Sequence, residues 1–82
     1  MKLPTIHMNG SPRQMLLDEA ETAYASMHDA IDAVRAMTVN GRDFYPQGPN
    51  AAQEAMREHE RLIRQLCEAR AEIEQYIEGL LL

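Results

Sequence analysis

The 82-residue chain has one cysteine, no tryptophan, one phenylalanine and three tyrosines. A lone cysteine cannot pair within the chain, so a disulfide framework is excluded. Basic residues are also scarce: eight Lys and Arg stand against thirteen Asp and Glu, a net charge of −5 with histidine neutral. An acidic chain with no basic stripe is ill suited to duplex nucleic acid. No apolar run approaches the roughly 18 residues that a membrane span needs. The opening Met1-Lys2-Leu3-Pro4 has no signal-peptide apolar core. These absences lead to the expectation of a single cytoplasmic domain with no membrane and no duplex nucleic acid among its partners. At this length a lone core supplies only ~3–5 kcal/mol, so a further source of stability is expected.

Glycine and proline are few and unevenly placed: neither occurs between residues 13 and 37, and two of each fall within residues 41–49. Residues 1–10 read as an arm, 12–37 as a helix, 38–50 as a turn and 51–78 as a second helix. The first helix has a start signal in Ser11, Pro12 and Gln14, the residues of a capping box with Pro at the first helical position. Asn50 with Gln53 offers the same signal for the second, Gly48 followed by Pro49 offers an earlier start, and Gly79 reads as its stop. Two rods of similar length joined by a tight linker fold back as an antiparallel hairpin, an all-α fold. If the turn centres near Phe44, facing residues have numbers that sum to about 88. Val34 then meets the Glu54–Ala55 turn, and Leu3, Ile6 and Met8 of the arm cover the far end beside Ile77 and Leu80.

Apolar residues repeat in heptads on both helices. Ala20, Met27 and Val34 form one row of the first helix, and Leu16, Ala23, Ala30 and Met37 the next. The small Ala23 and Ala30 predict a close helix–helix approach. The flank of Leu17, Tyr24 and Ile31, with Met56, Ile63 and Ile77 of the second helix, is more than a two-helix hairpin can bury. Exposed apolar area of that kind marks an interface. A homo-oligomeric helical bundle, a dimer or higher, is therefore expected through those six residues. The competing reading is a monomer whose arm folds over that flank.

The turn is the densest stretch of the chain. Asn40-Gly41 is a strong turn dipeptide, because both residues tolerate positive φ. Arg42-Asp43-Phe44-Tyr45-Pro46-Gln47-Gly48-Pro49 follows. It reads either as a cap, with Phe44 and Tyr45 plugging the bundle, or as a ligand rim. An arginine beside aromatics can hold a phosphate while the rings stack on a base. Charge favours this end for an anion: Arg42, Arg57, Arg61 and Arg64 balance Asp43, Glu54, Glu58 and Glu60, so the rest of the chain carries the whole −5. Arg57 and Arg61 share a helical face and repel unless an anion or acid lies between them. His59 falls on a core row near the same end, where it is either a satisfied buried imidazole or a ligand contact. The candidate binding residues are thus Arg42, Phe44, Tyr45, Arg57, His59 and Arg61.

Little else carries chemistry. No Glu-x-x-His pair of a di-metal bundle occurs, so no metal or other cofactor is expected. Cys67 reads as a small core residue and not as a nucleophile. Glu60–Arg64 and similar pairs read as a solvated face. No catalytic residues are assigned, and the chain is not expected to be an enzyme.

Thr5-Ile6-His7-Met8-Asn9-Gly10-Ser11 and Asn40-Gly41-Arg42-Asp43-Phe44-Tyr45-Pro46-Gln47-Gly48-Pro49 together resemble small helical-hairpin proteins of phages and prophages of Gram-negative bacteria. Those proteins share an "hLNG(S/T)" start, an "NGRDYYPQG" turn and a Glu-His-bearing second helix, matched here by Glu58-His59; Phe44 replaces the commoner Tyr. The resemblance carries no assigned activity and transfers no functional residue. It implies a phage accessory protein in the host cytoplasm that acts by sequestering a defence nucleotide or by binding a host defence protein. A structural or assembly component of a phage particle is the alternative. Phage nucleotide sponges include small helical-hairpin oligomers, an analogy of architecture alone.

Overall fold

The computed structural model describes residues 1–82. It holds two long helices and no strand: α1, Arg13–Arg35, and α2, Ala51–Leu81, joined through two short 3-10 turns, Gly41–Asp43 and Tyr45–Gln47. The helices pack against each other as a hairpin measuring 62 × 18 × 17 Å. No helix is long and apolar enough to cross a membrane.

The rods differ in length, 23 against 31 residues, and all four of their ends depart from simple capping. The Ser11–Gln14 capping box is not formed. Pro12 is the extended residue before α1 and its carbonyl takes the Leu16 N–H at 3.2 Å, which leaves Ser11 outside. Gln14 donates instead to Asp18 Oδ1 at 2.7 Å, a charged acceptor one turn along its own helix. Asn50 makes no side-chain cap either. Its backbone is already helical (φ −105°, ψ −5°), whereas an N-cap side chain needs an extended residue to reach back to the first turn.

α1 ends at Arg35, two residues before Met37, because its last carbonyls find other donors. Val34 O accepts the Met37 N–H at 3.1 Å and the His59 Nε2 of α2 at 2.6 Å. Helix ends leave unpaired carbonyls that something must satisfy, and here the facing helix supplies the group. The same contact corrects the register. Val34 lies level with His59 and not with Glu54–Ala55, since Met37, Thr38, Val39 and Phe44 run beside the first turns of α2.

Gly79 does not stop α2, which continues to Leu81. It is a point of close approach: a Cβ there would lie 2.6 Å from both Leu3 Cδ atoms. The arm therefore crosses the open end through Leu3, over the buried Leu80. Met8, expected to help, is 95 % exposed.

The core is small. Leu17, Ala20, Ile31 and Leu80 are the only buried residues, and Ile31 alone has no exposed surface. This reverses the expected roles of the α1 rows. Leu17 and Ile31, assigned to an oligomer interface, are buried within the monomer, and Tyr24, Ile63 and Ile77 are half-buried. Of that set only Met56 is exposed. Ala23, Ala30 and Met37, expected inside, face out. Three adjacent apolar rows leave the helix rotation open, and burying branched side chains removes more apolar area from water than burying alanines.

Candidate functional site

The turn is built by local hydrogen bonds and one special backbone position. Asn40 is extended (φ −127°) and its Oδ1 accepts the Asp43 N–H at 3.2 Å, which starts the first 3-10 turn. The positive-φ residue is Gly48, at φ 125°, and neither Asn40 nor Gly41. The chain thus reverses just before α2, with Pro46 inside the second 3-10 turn.

This routing opens a groove of about 410 Å³ between residues 37–44 and the start of α2. Met37, Val39, Phe44 and Leu62 give it an apolar lining, and His59 and Arg61 add polar groups. Phe44 is half-buried there. His59 Nε2 must carry the hydrogen in its bond to Val34 O, because a carbonyl only accepts. In the neutral ring Nδ1 is then left as an acceptor.

A second cleft of about 250 Å³ adjoins it, lined by Arg57, Arg61 and Arg64 with Glu58 and Glu60. Arg61 and Glu58 line both spaces. None of the arginines lies within 4 Å of a carboxylate; the one histidine–carboxylate contact in that range is His28 Nε2 with Asp32 Oδ2, at 3.7 Å. The expected pairing of Glu60 with Arg64 is therefore not made, and three guanidiniums stand free along one cleft.

Of the six candidate binding residues, Phe44, His59 and Arg61 line the apolar groove, and Arg57 joins Arg61 in the charged cleft. Arg42 and the 74 % exposed Tyr45 line neither. Both are exposed side chains of the three-residue turns. Met37 and Leu62 were missed as groove residues. Both lie on heptad rows whose direction the sequence left open.

Arg70 was missed as well. Its Nη1 donates to His28 Nδ1 at 3.1 Å, and its Nη2 lies 4.0 Å from Cys67 Sγ. It ties the two helices together halfway along the rod. A charged residue within an apolar heptad row was the available signal. No group of three His, Cys, Asp or Glu side chains comes together to hold a metal ion. The chain matches no family model, no curated protein and no solved structure in the comparisons made with each.

Proposed function

We propose that this chain is a non-enzymatic binding module that sequesters a small anionic ligand with a flat apolar part, of the nucleotide kind. One observation carries the reading: Arg61 lines both the apolar groove and the cleft of unpaired arginines. A base seated against Phe44 and Leu62 would place its phosphate toward Arg61, Arg57 and Arg64. Guanidinium forks match phosphate geometry, and arginines without protein carboxylate partners have no bonds to give up. His59 Nδ1 adds an acceptor for an exocyclic amine. The groove volume lies in the range of small-molecule sites, about 300–1,000 Å³. Its lining offers an apolar stacking surface in Phe44 and Leu62 and a cation in Arg61.

In this reading the working form is a homo-oligomeric helical bundle, since four buried residues make a slight core for 82. The phage counter-defence setting rests on the resemblance of the start and the 40–49 turn, and a host defence protein is a second target of the same kind. An assembly role in a phage particle is the second reading, with Leu81, 66 % exposed, as an apolar side chain open to a larger protein.

Native mass spectrometry with a panel of cyclic and linear purine nucleotides tests the proposal. An added nucleotide mass is expected, with at least tenfold weaker binding for Arg61→Ala and Phe44→Ala and unchanged binding for Arg42→Ala. Equal affinity in the first two variants, or no bound nucleotide at millimolar concentration, overturns it. The second result would redirect the search to protein partners.

A further inference from the structure

Two apolar rows share one side of the hairpin; Ala23, Ala30, Met37 and Leu62 on them are exposed, and Leu16, Ala55, Ala69 and Tyr76 are half-buried. On the first helix and its exit the row is Leu16, Ala23, Ala30 and Met37; on α2 it is Ala55, Leu62, Ala69 and Tyr76. At the open end Leu16 and Ala23 line a shallow groove together with Tyr76. At the turn end Met37 lines the larger groove together with Ala55 and Leu62. Both rows flank the same two grooves, so the face runs the length of the rod. Met37 and Leu62 are 56 % and 41 % exposed on it.

We propose that a second copy of this chain covers that face, running antiparallel about a twofold axis level with Ala69, and that the partner's Tyr76 closes the turn-end groove over Leu62. The inference rests on the self-association just proposed and not on the identity of any ligand.

The exposed area calls for a partner of this size. The chain exposes 6258 Å², about 1,300 Å² more than the roughly 5,000 Å² expected of a compact folded monomer of this mass. Obligate homodimers bury about 1,000 Å² or more on each partner, so one copy of the same rod accounts for the excess.

The rows themselves set the register. A twofold axis at Ala69 brings Ala69 onto its own copy and Leu62 onto the partner's Tyr76, seven residues to either side. On the first helix the matching pairs are Ala30 with the partner's Ala23, and Met37 with the partner's Leu16. Their centre lies between Ala23 and Ala30. The two centres are level in the hairpin, because Arg70 reaches His28. One axis therefore serves both helices, as an isologous contact requires. Small side chains fall at the crossing, where the backbones approach, and large ones fall at the ends, where the grooves are.

Charge selects this direction over the parallel one. The turn end is neutral and holds the free Arg57, Arg61 and Arg64, while the open end carries acids such as Glu19 and Glu72. The antiparallel pair sets the arginine end of each copy beside the acidic end of the other. A parallel pair would set acidic end on acidic end, which is repulsive.

The test uses the full chain with Cys67→Ser, so that an introduced thiol is the only one. Under mild oxidation Ala69→Cys is expected to form a disulfide-linked dimer, and Leu62→Cys is expected to link to Tyr76→Cys when the two variants are mixed but not to itself. Ala30→Glu, at an exposed position, should halve the mass seen by sedimentation while circular dichroism keeps its helical signal. A dimer in which Leu62→Cys links to itself and Ala69→Cys does not would overturn the arrangement and leave self-association standing. A monomer at all concentrations up to 0.1 mM would overturn both. Nucleotide binding, present or absent, decides only the ligand reading.

Discussion

Three residues do work that their identity alone does not announce. His59 closes the end of α1 by donating to Val34 O at 2.6 Å, and so links the helix stop, the register and the groove. Because Val34 O also receives the Met37 N–H, losing the imidazole orphans no carbonyl. His59→Leu is therefore expected to cost about 1 kcal/mol, the net worth of one hydrogen bond, and not the 3 kcal/mol of an unsatisfied group. A urea titration checks this, and a loss near 3 kcal/mol would mean that Val34 O depends on His59 alone. Gly79 is set by the arm. In Gly79→Ala the new methyl meets only the end of the flexible, half-exposed Leu3, while a helix gains up to ~1 kcal/mol from the exchange. Helicity should hold or rise, and limited proteolysis should cut residues 1–10 faster. An arm as resistant as the wild type would show that Leu3 does not anchor it. Arg70 is the third, the bond between the helices at mid-rod.

At the scale of elements, the turn and the core row are the sensitive parts. Gly48 has φ 125° and ψ 171° with open space around it. Any side chain there suffers from backbone conformation alone, and Gly48→Ala is expected to destabilise by about 1–3 kcal/mol. Gly41 also has open space but lacks a positive φ. Gly41→Ala is expected to be neutral, or to stabilise by about 0.4–1 kcal/mol by restricting the unfolded chain. Thermal melts of the pair separate the two causes, since equal shifts would contradict the assigned φ difference. In α1, Ile31 is fully buried. Ile31→Ala should cost about 2–5 kcal/mol, the greater part of what so small a core supplies. Loss of the cooperative transition at 25 °C is the expected reading in circular dichroism.

For the whole molecule, the rod shape is the governing fact. A hairpin 62 Å long and 18 Å wide buries four residues, and its apolar side continues from one groove to the other. If copies stabilise one another, folding and association are one equilibrium and the melting temperature rises with concentration. A rise of several degrees is expected between 1 and 100 μM. A melting temperature constant over that range would mean that the hairpin is stable by itself.

Composition, the glycine and proline spacing and the heptads were enough to establish the helix–turn–helix order, because these are local properties that each segment carries alone. The arm lying near Leu80 and the linkage of His59 to a partner group were also legible. The sequence could not choose which of three apolar rows faces inward, so the interface flank was misassigned to Leu17, Tyr24 and Ile31. Rotation of a helix about its axis depends on what the other helix presents, and several rotations satisfy one periodic pattern. The same holds for the site. Residue types pointed to the turn end, but Phe44, His59 and Arg61 were separated from Arg42 and Tyr45 only by the path of residues 37–44 beside α2. That path follows from the helix ends, from Gly48 and from the His59–Val34 bond across 25 residues of sequence, a contact that exists only once the chain has folded.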